Sequence, residues 1–375
     1  MILHVDIETY SPADLPKVGS WKYAQHPDTR ILMVGYALDD EEPQVWECHT
    51  GPMPAELRTA LDDPAVLKIA HNASFELALM STLGMIAFEP EQWRCTAVHA
   101  LGLGLPGGLG AVAAELRLEE QKTDVGKTLI RRFSMPPRLP GAPQPGPEDD
   151  RWPEFVEYCR QDVRTERAIG HHLEDLRRLP ESEWSLWHLD QHINARGLPV
   201  DLPLVRNAMA VDTVNRARAT DAVRDLTGVA NPGSRNQLLD WLRAQEITPD
   251  DLTAGTVRGL LTDDDLPAQV REVLEHRQQL AASSTAKFEA LARATGDDGR
   301  LRGTLKFYGA HTGRWSGQLF QPQNLPRGNL SAPDVATARA LVRDGDIELL
   351  TLLYPNHSQV LGSLVRSTIV APPGK

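Results

Sequence analysis

Ile2-Leu3-His4-Val5-Asp6-Ile7-Glu8 decides how the fold is read. Residues 2–5 are largely apolar and predict a short strand, which Asp6-Ile7-Glu8 brings to an end. Strand side chains alternate, so Asp6 and Glu8 share one face. Like charges so placed repel unless a cation lies between them, which points to hard divalent ions; the same pair also suits a solvated strand end. Working outward, strand-like runs at 31–38 and 66–70 alternate with helical patterns at 54–61 and 74–83, the pattern of an α/β domain.

His71-Asn72-Ala73-Ser74-Phe75-Glu76 follows the third run. Glu76 therefore falls at a strand-to-helix junction, where α/β sheets keep their ligand crevices. The alternative is a capping Asn72 with Glu76 as a first-turn acid. Residues 135–153 hold seven prolines and two glycines and read as an exposed loop. Beyond it Trp152, Phe155, Val156, Cys159, Val163, Ile169, Leu173 and Leu176 recur at helical spacing, predicting one amphipathic helix over 152–178. Tyr158 and Asp162, four apart, lie on one of its faces at the border of the apolar stripe; a half-buried tyrosine beside a surface acid is the plain alternative. Helical patterns continue at 183–195, 202–226, 234–244 and 266–294. Strand-like residues return at 301–308, then a polar loop to 327, one or two helices and an apolar piece at 364–371. The expected organisation is an α/β domain at 1–180, a helical region at 181–298 and a mixed segment at 299–375.

At 375 residues the chain suggests two to three domains, and 41% hydrophobic with 24% charged residues excludes wholesale disorder. No run reaches the roughly 18 apolar residues of a membrane span, and the start lacks the basic n-region of a secretory signal, so a cytoplasmic location is expected. Cys48, Cys95 and Cys159 form no Cys-x-x-Cys pair, which excludes a disulfide framework and a zinc knuckle. The net charge of −12 is uneven: residues 1–200 hold 19 basic against 31 acidic groups, whereas 271–327 hold nine against five. The acidic front is either a solvated surface or a concentration of carboxylates around metal. Gly126-Lys127-Thr128 lacks the glycine that a phosphate loop needs at position 121, so Lys127 and Arg131 read as a solvated basic helix face. His171-His172 reads as surface.

The three acidic motifs together resemble the DEDD superfamily of 3′–5′ exonucleases, and Tyr-x-x-x-Asp resembles its tyrosine subclass. The resemblance implies an RNase H-like fold, with two divalent cations, Mg²⁺ or Mn²⁺, held by Asp6, Glu8, Glu76 and Asp162. It gives Tyr158 the attacking water, and Thr9, Asn72 and Phe75 the terminal nucleotide. Position 76 is Glu where the superfamily usually has Asp. Further along, Asn194-Ala195-Arg196-Gly197-Leu198-Pro199-Val200-Asp201 and His311-Thr312-Gly313-Arg314-Trp315-Ser316 with Gln321-Pro322-Gln323-Asn324-Leu325-Pro326-Arg327 resemble elements of family A DNA polymerases. The layout looks most like phage and prophage enzymes.

This second resemblance implies a helical thumb after the exonuclease domain, then the beginning of an α+β palm. It also implies duplex contacts by Arg314, Gln321 and Gln323, although Gln321 and Pro322 depart from the usual Asn and Leu. Lys287 joins them as a basic residue of the 271–327 stretch. The palm's Asp-x-Ser-x-x-Glu and the terminal His-Asp-Glu do not occur, so polymerisation by this chain alone is not expected; a separate chain could supply the rest. The expected partners are single-stranded 3′ ends and primer-template duplex. Two rivals remain: an exoribonuclease of the RNase D kind, which shares the acids but lacks the Thr-Gly-Arg loop, and a primer-template-binding fragment with an impaired exonuclease site.

Overall fold

In the computed structural model, which describes residues 1–121, 125–280, 285–325 and 328–372, a five-stranded sheet is built on the opening strand. β1 (Ile2–Tyr10) is central. β2 (Arg30–Leu38) pairs antiparallel on one side, with β3 (Gln44–Glu47) beyond it. β4 (Leu67–Ala70) and β5 (Trp93–Cys95) run parallel on the other. The order β3-β2-β1-β4-β5 is the RNase H-like one.

Around the sheet lie α1 (Leu15–Ala24), α2 (Ala55–Asp62), α3 (Ser74–Thr82), α4 (Thr96–Gly102), α5 (Leu109–Glu115), α6 (Gly126–Phe133), α7 (Trp152–Leu176) and α8 (Glu181–Arg196). Leu3, Val5 and Ile7 of β1 join one core with Val34, Leu77 and Trp93. The alternate face of β1 is covered by α7, which packs on β1, β2 and β3. Met33, Phe133, Trp152, Phe155 and Cys159 form a second core on that side. Each fully buried aliphatic side chain contributes roughly 1.5–3 kcal/mol, so a sheet covered on both faces can carry polar groups on one stripe of its central strand.

One expectation needs correcting. The first strand does not end at Asp6-Ile7-Glu8. It runs to Tyr10, because the β2 ladder pairs residues 3–10 of β1 whatever the side-chain charge, with an irregularity between Glu8 and Thr9. The acids lie inside the strand.

The chain forms two compact units: Met1–Leu198 with Ala294–Gln323, and Pro199–Arg293 with Asn324–Lys375. The compact units do not follow the expected boundaries at 180 and 298, because residues 294–323 return to the first unit. In the first unit β6 (Leu305–Lys306) and β7 (Ser316–Gly317) form a small antiparallel pair. Asn194 holds both peptide groups of Leu305: its Oδ1 accepts from Leu305 N at 3.0 Å and its Nδ2 donates to Leu305 O at 3.0 Å. The first residue of the Asn-x-Arg-Gly element is thus structural.

The second unit contains α9 (Leu202–Thr227), α10 (Arg235–Ala244), α11 (Ala254–Leu260), α12 (Ala268–Leu280), α13 (Thr285–Ala294), α14 (Ala332–Asp344), α15 (Ile347–Leu353) and α16 (His357–Leu364). α9 packs against α12, α14 and α16. Asp201 caps it through Leu204 N at 3.2 Å and is paired by Arg339 at 2.6 Å and Arg343 at 3.1 Å. Of the helix expected over 266–294, residues 281–284 lie outside the described residues, as do Pro326 and Arg327 of the later motif and residues 373–375. No helix among the described residues is long and apolar enough to cross a membrane.

Candidate active site

β1 presents His4, Asp6 and Glu8 on one face because they alternate with the core residues Leu3, Val5 and Ile7. α7 answers with Tyr158, Cys159, Asp162 and Glu166, all buried. One carboxylate oxygen each from Asp6, Glu8 and Asp162 lies within 4.8 Å of the others. Their approach is permitted from the neighbouring strand. Gly35 is the register partner of Asp6 on β2, and a Cβ there would stand 2.9 Å from both Cys159 Sγ and Val163 Cγ2. Without that glycine α7 could not come down on the sheet at Asp6. Cys159 Sγ lies 3.9 Å from Asp6 Oδ2, and burial, then the Asp6 charge, pushes the thiol well above its usual range.

Tyr158 and Asp162 lie in the buried face of α7 rather than at its border, at 2% and 4% exposure. The tyrosine's hydroxyl is hydrogen-bonded to Asp162, and burial first, then the Asp162 charge, raises its pKa. Glu76, in the first turn of α3, is 3% exposed, and its Oε2 accepts no hydrogen bond among the described residues. Burial, and next the Asp6 charge, push this carboxyl well above the ordinary carboxylate range. Glu76 is not part of the three-carboxylate group.

A largely buried cluster of oxygen donors with an orphaned carboxylate beside it suits a hard divalent cation, which takes oxygen ligands and offsets the repulsion. Asp6, Glu8 and Asp162 fit a first ion directly. Glu76, outside that group, feels the Asp6 charge.

The residues expected to hold a terminal nucleotide lie nearby in the same unit. Thr9 Oγ1 is 3.0 Å from Tyr23 Oη, and the Tyr23 ring meets Phe75 at 6.2 Å. Asn72, exposed and with φ at +70°, and Phe75 line a cleft of about 570 Å³, together with Trp21, Asp190 and Phe307. Asn72 does not cap α3, whose N-cap is Ala73. Asp190, buried in the cleft's lining, accepts from Trp315 Nε1 at 2.8 Å and Asn194 Nδ2 at 3.1 Å; burial outweighs these bonds and raises its pKa to about 6.

Of the residues expected to touch duplex, Arg314 is exposed at the turn between β6 and β7, where Gly313 N donates to Ala310 O at 2.9 Å. Gln321, half-buried with φ at +53°, and exposed Gln323 follow in the same loop region. Lys287 stands apart from them in sequence and unit, on α13.

Sequence reading missed a second polar layer. His4 Nδ1 and Glu166 Oε2 meet at 2.8 Å, both 2% exposed, two residues before Asp6 on β1 and one turn after Asp162 on α7. The same strand and helix periods that grouped the acids place these two beside them.

No family model matches the chain. It is 41% identical over 384 residues to a DNA polymerase of Bacillus phage SP02, an alignment covering 99% of this chain and 58% of that protein. Its fold is like that of the POL domain of Pol1 from M. smegmatis, solved in complex with DNA primer-template and dNTP. The TM-score is 0.58 at 17% identity, covering 90% of this chain and 53% of that one. The chain thus spans less than two thirds of either protein. Along nearly its whole length the chain is similar to part of a phage DNA polymerase.

Proposed function

We propose that the chain is a metal-dependent 3′–5′ exonuclease acting on DNA 3′ ends, the proofreading part of a polymerase used in DNA replication. One observation carries the reading: Asp6, Glu8 and Asp162 bring carboxylate oxygens within 4.8 Å, with Tyr158 bonded to the last of them. Divalent cations bound there would supply charge neutralisation and an activated water for phosphodiester hydrolysis. The protein's own groups do the rest. Asp6, Glu8 and Asp162, with Glu76, hold the ions; the Tyr158 hydroxyl orients water; Thr9, Asn72 and Phe75 seat the terminal nucleotide. Arg314, Gln321, Gln323 and Lys287 are proposed to hold duplex, a role supported by the primer-template carried by the solved relative.

The test is release of mononucleotides from a 5′-labelled strand in Mg²⁺ or Mn²⁺. The double change Asp6→Ala with Glu8→Ala should lower the rate by on the order of 10³-fold or more. Wild-type activity in that variant would refute the assignment. A second reading, a primer-template-holding chain with an impaired site, is favoured by Glu76 standing outside the close carboxylate group. Calorimetric titration separates the two: the exonuclease binds two ions, the impaired site one or none.

A further inference from the structure

We infer that Gly126, the first residue of α6, is a positioning residue for Tyr158, setting where the phenol hydroxyl stands. The inference rests on the exonuclease reading for its catalytic consequence. A Cβ built on Gly126 would lie 2.4 Å from Tyr158 Cε2, 2.9 Å from Cζ and 3.1 Å from the hydroxyl oxygen. Real carbon atoms do not approach so closely, so any side chain at 126 must move the ring or the helix.

The ring has no room to retreat. Tyr158 is 2% exposed, and Phe155 stacks on it at 6.2 Å with 13° between the planes. α6 is held down by Leu129 and Phe133, which are fully buried in the same core. A shift of the ring therefore carries the hydroxyl off Asp162, its partner one turn on, and away from the carboxylate group.

The backbone supplies no competing reason for glycine. Gly126 does not have a left-handed φ that would call for glycine. Close approach is what remains. It also accounts for the glycine of Gly126-Lys127-Thr128, whose resemblance to a phosphate loop failed at position 121. Lys127 and Thr128 point to solvent while Gly126 is buried.

A double-mutant cycle tests this on the full chain. Gly126→Ala should lower the single-turnover rate on the order of 10²-fold, as loss of a positioned proton-handling group does, with little change in substrate KM. In a Tyr158→Phe background the same change should alter the rate less than about twofold, since no hydroxyl is left to misplace. Equal slowing in both backgrounds, or a wild-type rate for Gly126→Ala, would overturn the inference. Stability supplies a second arm that needs no activity. Gly126→Ala should lower Tm in the wild type but not in Tyr158→Ala, where the ring is gone. Should Gly126→Ala alone fail to fold, recovery of folding in the Gly126→Ala, Tyr158→Ala pair supports the contact, and failure of that pair as well refutes it. A wild-type chain that trims no 3′ end sinks the proposed function and the catalytic part with it, while the unfolding cycle still decides the contact.

Discussion

Replacing Glu8 with Gln should make the metal-free protein more stable than the wild type and the metal-loaded protein less responsive to the ion. Glu8, Asp6 and Asp162 bring their oxygens within 4.8 Å of one another in a site that is 8% exposed at Glu8. At an effective dielectric of about 20, each like-charge pair at that separation costs about 3.5 kcal/mol. Glu8→Gln removes two such repulsions at nearly constant shape. Lost hydrogen bonding and local relaxation offset part of this, so the variant should gain about 1–3 kcal/mol in EDTA, raising Tm by roughly 3–8 °C. Saturating cation works the other way. At a hundredfold excess over Kd it stabilises the wild type by about 2.7 kcal/mol, whereas a site short of one carboxylate gains much less. Thermal unfolding in EDTA and across a Mg²⁺ and Mn²⁺ series reads both arms. A Glu8→Gln protein less stable than wild type in EDTA, or equally responsive to the cation, would show that these carboxylates are not a repulsive, ion-ready cluster.

Tyr158→Phe should keep the cation-induced rise in Tm yet slow single-turnover cleavage on the order of 10²-fold; an unchanged rate returns Tyr158 to the role of a packed aromatic. Asp190 has its pKa raised to about 6, above the 3.8 of the free side chain, so its contribution to stability is fully present below about pH 4 and is lost as pH rises through about 6. A shift of about two units corresponds to about 3 kcal/mol at most. Asp190→Asn should flatten Tm against pH over that window, and an identical slope in the variant would assign the dependence elsewhere. Lys287→Ala should reduce the salt slope of duplex binding by roughly one unit in fluorescence anisotropy, as loss of one phosphate contact does. Arg314→Ala should weaken duplex binding more than cleavage of short single strands; equal losses on both substrates would refute its duplex role.

The strands and the acids were legible because their signals are local. Alternation in residues 2–8 put Asp6 and Glu8 on one face, and a spacing of four put Tyr158 beside Asp162. The strand's length was misjudged because a ladder partner, β2, continues it past the apolar run. β3 and β5, at four and three residues, carry too little pattern to be read alone. Gly35 and Gly126 could not be read at all, since the need for them arises only where α7 meets β2 and α6 meets Tyr158. His4 and Glu166 were readable in principle and were passed over because a lone histidine and one acid among many carry no motif.

The first unit is discontinuous along the chain, and this governs how it can be made. Residues 294–323 complete it, and Phe307 is 6% exposed in the same core as Leu3 and Val34. A ribosome that has released residue 198 has therefore not yet supplied the last side chains of that core. Closing it waits for about a hundred further residues, a loop-closure cost that slows folding and lengthens the time apolar surface is bare. A protein cut after the sheet and α8 would keep the carboxylates but leave the core of the first unit without Phe307, and Asn194 without Leu305. Expression of the first unit by itself thus calls for joining residues 1–198 to residues 294–323, rather than for truncation.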